Sequence, residues 1–253
     1  MVAPMAGAQT SSEAAGGRLQ ALRAHLNRWL FPSPPESKSR LAWWEGLILI
    51  VALLALAIVL QLLRIGPSNS LHSLWAEDGQ IFLQGALTRS FLPDLFETYA
   101  GYLVFVPRLI GETTNLVPLS DAPAAIAISS GIVVALSGLA VWFASAAQIR
   151  NPYLRGTLVA LTILTPVAAL ESVASAAYVP WYMLFASFWL LLWRPPTTRG
   201  AVLAGLFLLA TGLSSPGVWF FAPLAGLRAI AARDRRDLTI LAGWAIGIAS
   251  AAM

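Results

Sequence analysis

Residues 46–65 read GLILIVALLALAIVLQLLRI, and this run limits the chain more than any other feature. Twenty helical residues, at about 1.5 Å each, cover the roughly 30 Å hydrocarbon core of a bilayer. Apolar runs recur at 122–147, 156–170, 176–193, 200–213, 217–227 and 238–253. The chain is 58% hydrophobic and 11% charged, whereas a soluble domain carries roughly 25% charged residues. Most of it is therefore expected to avoid water. The expected fold is all-α: a polytopic transmembrane bundle of about seven spans, with short amphipathic helices in a large first outer loop.

Charge decides the direction of threading. Arg18, Arg23, Arg28, Lys38 and Arg40 precede the first run, which predicts a cytoplasmic N-terminus. Residues 102–116 are apolar enough to suggest a further span, but they carry Arg108 and Glu112 near the middle. A central arginine costs about 2.5–3.5 kcal/mol on insertion scales. If 102–116 does not cross, Arg150, Arg155, Arg194, Arg199, Arg228, Arg233, Arg235 and Arg236 all fall in cytoplasmic loops. If it crosses, all eight fall outside, so seven crossings are predicted. The net charge of +4 sits in short arginine clusters between apolar runs. That pattern fits cytoplasmic loops and not a nucleic-acid groove.

Residues 1–45 read as a cytoplasmic tail. Residues 1–17 are rich in Ala, Gly and Ser and are expected to be disordered. Within 18–31, Leu19, Leu22, Leu26 and Trp29 fall at helical spacing among Arg18, Arg23 and Arg28. This fits either a basic amphipathic helix on the inner membrane surface, ended by the prolines that follow, or an ordinary solvated linker. Residues 46–253 form the transmembrane module. Its apolar last run, without a charged stop, suggests C-terminal truncation. The runs 156–170 and 176–193, and then 200–213 and 217–227, are expected to pair as hairpins. Runs around Gly138 and 242–252 are rich in small residues, as helix contact faces in lipid should be.

The loop at 66–122 is the chemically distinctive stretch. It holds Glu77, Asp78, Asp94, Glu97, Glu112 and Asp121 but only Arg89 and Arg108. Short amphipathic helices are expected at 79–87 and 102–116. Glu77 and Asp78 are adjacent, and neighbours on a helix do not share a face. One is therefore expected in a site and one in a structural role. Asp78-Gly79 is an N-cap signal, which would leave Glu77 as the freer carboxylate. Arg108 either pairs with Glu112 one turn later or grips a phosphate bidentately. Glu171 and the aromatics Tyr178, Trp181 and Tyr182 fit either sugar stacking or an interfacial aromatic belt. Tyr99, Tyr102 and Glu97 are candidates to line the same cavity. His72 reads as an exposed loop residue. Without cysteine, disulfides and thiolate sites are excluded. An oxygen-rich divalent-cation site at Glu77 or Asp78 is conceivable, but the sequence shows no ligand set.

An acidic pair in the first outer loop, followed by short-looped apolar hairpins, resembles the GT-C superfamily of polytopic membrane glycosyltransferases. The stretches YAGYLVFVPRL (99–109), ESVASAAYVPWYML (171–184) and TGLSSPGVWFFAPL (211–224) add to the likeness, which covers roughly residues 41–253. The resemblance implies sugar transfer from a polyprenyl-phosphate donor to a glycan or lipid acceptor on the outer face of the plasma membrane, within the cell envelope. It places the catalytic carboxylate at Glu77 or Asp78. It also places substrate contacts at Arg108, Tyr102, Glu171, Tyr178, Trp181 and Tyr182. Phosphate leaves as a stable anion, so one carboxylate acting as base suffices, unlike the pair needed for glycoside hydrolysis. Ser214 and Ser215 stand where relatives often place a lysine. Two other classes compete: a transporter or flippase of lipid-linked glycans, with polar groups near the midplane, and a non-catalytic membrane protein.

Overall fold

A computed structural model describes residues 7–33, 43–65, 71–164 and 174–251. These residues are almost entirely helical, which agrees with the all-α expectation. The long helices are α1 (Gly7–Trp29), α2 (Trp43–Ile65), α6 (Ala122–Ala144), α7 (Pro152–Leu164), α8 (Val179–Leu192), α9 (Thr198–Gly212), α10 (Ala222–Ala231) and α11 (Arg235–Ala251). The connection between α2 and α6 holds shorter pieces. A π-helical turn at Asp78–Leu83 continues as Gln84–Thr88, together α3; α4 is Phe91–Leu95 and α5 is Phe105–Glu112. Strands β1 (Thr98–Tyr99) and β2 (Tyr102–Leu103) pair antiparallel between α4 and α5.

Two helices are long and apolar enough to cross a membrane, Trp44–Arg64 and Leu119–Ala147; the apolar helices at 152–164, 176–192, 198–212 and 216–231 are shorter. Only 11% of the most apolar window of the first is buried inside the protein, against 50% for the second. Helix α6 is the central one and packs on α2, α7 and α8. Helix α2 also bonds to α7, where the buried Gln61 amide donates to the Ile163 carbonyl. In apolar surroundings such a bond holds helices together because the amide has no water to turn to.

Helices α9 and α11 make the closest approach. A Cβ at Gly243 would overlap the Gly205 backbone, and one at Gly212 would lie 2.6 Å from Gly247 Cα. Gly243 and Gly247 are spaced as in a Gly-xxx-Gly face, which lets two backbones touch. At Gly138 the neighbours are the Ile163 and Val159 side chains, the nearest atom 2.9 Å from an added Cβ. A side chain can shift where a backbone cannot, so the tightest small-residue contact is at 205 and 243.

Backbone and side-chain contacts sort the connections into two sets. At one end, Arg23 Nε donates to the Ile230 carbonyl (3.0 Å) and Gln148 Nε2 to the Leu30 carbonyl (3.4 Å), while Leu26, Phe31, Leu192 and Ala231 form a small core. At the other end, the Phe105 amide donates to the Leu213 carbonyl (3.1 Å) and the Val106 amide to Ser214 Oγ (3.0 Å). The second contact also defines what Ser214 does in its turn.

Three local expectations are corrected. Helix α1 begins at Gly7, so residues 7–17 are ordered. Ala, Gln and Glu are good helix formers, and the segment continues a helix whose Leu26 turn docks on the protein. Leu26 is buried, but Leu19, Leu22 and Trp29 are exposed, so one turn of the expected stripe docks on the protein. The helix expected over 102–116 starts at Phe105, because 98–103 forms a hairpin. Ala100 and Gly101 both have positive φ, 53° and 85°, as a two-residue type I′ turn requires.

Candidate functional site

The Asp78 end is built by α3, the hairpin, α5 and the start of α8. Phe82, Val104, Val106, Ile110, Ile126, Ala176, Val179 and Met183 form its core, with Tyr99, Tyr102 and Ala177 packed against it. Helices α3 and α5 meet at Gly111, where an added Cβ would lie 2.7 Å from the Phe82 carbonyl oxygen. That close approach fixes the position of Asp78, at the start of α3.

Asp78 is 2% exposed. Its Oδ1 accepts hydrogen bonds from Ser175 Oγ and from the Ala177 amide, both at 3.2 Å. It makes no side-chain cap, and Glu77 precedes it in helical conformation. The expected capping role is thus replaced by a link from α3 to the segment entering α8. Burial pushes the carboxyl up to about 6; donors from Ser175, Ala177 and Ala176 oppose the shift, and the Glu77 charge adds to it. Glu77 itself is half-buried and His72 is exposed.

Arg108 is 2% exposed and lies at the far end of α3. Its Nη1 donates to Asp94 Oδ1 at 2.8 Å and its Nε to the Glu97 carbonyl at 2.9 Å. The expected partner Glu112 instead accepts from Asn115 Nδ2 at 2.8 Å, and burial and the Asp94 charge raise its pKa. Gly85 makes room for the pair: an added Cβ would overlap Asp94 Oδ1 and lie 3.0 Å from Arg108 Nη1. Asp78 and Gly85 are seven residues apart, roughly 10 Å along a helix. Arg108 therefore serves a buried ion pair beside Gly85, about two turns along α3 from Asp78, with two nitrogens already engaged.

The aromatic candidates divide. Tyr99 and Tyr102 are half-buried and face each other across the hairpin register. Tyr178 is half-buried, Trp181 is 68% exposed, and Tyr182 is buried with its hydroxyl unpartnered among the described residues. Glu171 lies outside the described residues. Among the described residues no group of three or more His, Asp or Glu side chains could hold a metal ion. Structure thus brings Asp78, Tyr99, Tyr102 and the 175–183 segment together, and sets Arg108 apart.

Asp94 is the residue that sequence reading missed. It is fully buried and accepts from Arg108 while Arg89 approaches to 3.7 Å. The available signal was the imbalance of the loop: a buried arginine needs a carboxylate, and Asp94 was one of several. Comparison with protein families, with curated proteins and with solved structures finds no match to this chain.

Proposed function

We propose that the chain is a seven-span integral protein of the plasma membrane with a cytoplasmic N-terminus, and a GT-C-like glycosyltransferase whose base is Asp78. The alternation of helices between two sets of connections supports the threading: the arginine-rich ones meet at one end and the acidic loop meets 175–178 and 213–215 at the other. The observation that carries the catalytic reading is the Asp78 carboxyl. It is fixed by two donors, and burial pushes it up to about 6, nearer neutrality than an ordinary carboxylate, which makes it a stronger base. In the proposed step the acceptor hydroxyl oxygen attacks the anomeric carbon. The bond from that carbon to the carrier phosphate breaks, the phosphate leaves with the electron pair, and Asp78 takes the hydroxyl proton. Glu77 lies beside it and keeps it basic by like charge.

A second reading has its own support. The same two hydrogen bonds make Asp78 a latch between α3 and α8 with no chemistry. Transfer from radiolabelled polyprenyl-phosphate sugars, measured with the full chain in membranes, separates the two. Asp78→Asn keeps an oxygen acceptor for Ser175 and Ala177 but removes the base. Loss of transfer at unchanged protein level is the expected result. Undiminished transfer would leave only the latch, and no transfer by the parent chain from any donor would remove the enzyme.

A further inference from the structure

The end of the bundle opposite Asp78 holds a cavity of about 260 Å³ lined by Ser33, Arg194, Pro195, Pro196, Arg233, Asp234, Arg236 and Asp237. Pockets for drug-sized ligands run to roughly 300–1,000 Å³, so this one suits a small group. Asp237 is its hub. It accepts from Arg228 Nη2 at 2.7 Å and from the Arg233 amide at 2.9 Å, with Arg194 Nη2 at 3.6 Å. Asp234 caps α11 through the Arg236 and Asp237 amides and pairs with Arg236 Nε at 2.8 Å.

Two carboxylates thus face Arg194, Arg228, Arg233 and Arg236, leaving positive charge uncompensated. Arg194 is 8% exposed, and its Nε and Nη1 have no partner among the described residues. A buried guanidinium with open donors is costly unless something accepts from it. Arg233, exposed at the rim, adds a second fork. Planar guanidinium forks match phosphate oxygens in pairs, and basic pockets between helices at the inner boundary of a membrane take anionic headgroups.

We propose that this cavity is a phosphate-binding site, with Arg194 at its base and Arg233 and Arg236 at its rim. The phosphate belongs either to a lipid headgroup or to a free ion. The test uses the purified full chain in neutral detergent and follows thermal unfolding by tryptophan fluorescence. One arm titrates inorganic phosphate against chloride at constant ionic strength. The other titrates short-chain phosphatidic acid against the matching diacylglycerol, which has the tails without the phosphate. A ligand that binds only the folded state raises the unfolding temperature. A rise with phosphatidic acid alone identifies a lipid headgroup, and a rise with inorganic phosphate identifies the free ion. Arg233→Gln is expected to weaken binding about tenfold, the loss of one charge-assisted contact, and breaks no side-chain hydrogen bond or ion pair among the described residues. Arg199→Gln removes the same charge outside the cavity and is expected to bind like the parent. No rise with either probe, or equal weakening in both variants, overturns the proposal.

Discussion

At the Asp78 end acids outnumber bases: Asp78, Asp94, Glu97 and Glu112 stand against Arg89 and Arg108. At the Asp237 end Arg194, Arg228, Arg233 and Arg236 stand against Asp234 and Asp237. Each end buries one strong ion pair, Asp94 with Arg108 and Asp237 with Arg228, at 2.8 and 2.7 Å. The pairs are alike; the leftovers differ. A carboxylate left over in low dielectric holds its proton to a higher pH, and burial raises Asp78 to about 6. A guanidinium cannot readily lose one, and Arg194, with Nη2 on the Ala231 carbonyl and beside Asp237, still has Nε and Nη1 without a partner among the described residues. Surplus acid thus produces a titrating group, and surplus base produces a demand for an anion.

The sharpest way to break this comparison is Asp237→Ala. It takes the shared carboxylate from two buried arginines, Arg228 and Arg194, and leaves Arg228 only the Leu191 and Trp193 carbonyls. Leaving a buried charge uncompensated costs about 3–5 kcal/mol, and we expect loss of folded protein by size-exclusion chromatography of detergent extracts. Asp94→Ala is expected to cost less, at the low end near 3 kcal/mol, because only one buried arginine, Arg108, loses its carboxylate there. A larger loss at Asp94 than at Asp237 would reverse the ranking.

The titrating group gives a pH test. Asp78 has a folded pKa of about 6 against roughly 3.9 in an unfolded chain. The folded state therefore holds a proton that the unfolded state releases between about pH 4 and 6. Its contribution makes stability fall as pH rises through that window, by roughly 3 kcal/mol, and the deficit persists above it. Asp78→Asn should flatten that slope and unfold no earlier than the parent at neutral pH. An unchanged slope in thermal melts from pH 4 to 7 would place the titration elsewhere. The smallest effect is expected at the exposed Arg89–Glu97 pair, 3.5 Å apart. Glu97→Gln should change stability by about 0–1 kcal/mol, and a shift that vanishes in high salt would identify it as screened surface charge.

Much of the helical architecture was legible because its signal is local. Each described apolar run is helical, and the small-residue run at 242–252 supplies the α9 contact. The extension of α1 to Gly7 was missed because Ala-rich sequence is compatible with both coil and helix, and only continuity with a docked turn decides. At the site, Asp78 was identified as special but given a cap, since an Asp-Gly pair at a helix start carries that local meaning. Its partners Ser175 and Ala177 are nearly a hundred residues away, and no spacing rule links them. Arg108 failed for the same reason: Glu112 is the obvious neighbour along a helix, whereas Asp94 arrives through the α4 turn and the cleft at Gly85. The Ala-Gly pair at 100–101 was a usable hairpin signal, obscured by the apolar residues on either side.

The Gln61 bond sets a timing problem for synthesis. Its acceptor at Ile163 is 102 residues further along the chain. At about 5–20 residues per second, roughly 5–20 s pass between making the donor and making the acceptor. During that interval α2 would wait in the bilayer with a polar side chain and almost none of its neighbours. In the proposed threading, its long apolar run would let it remain inserted alone. The apolar helices at 152–164, 176–192, 198–212 and 216–231 are shorter and would need less independence, because α2 and α6 would already be there to receive them.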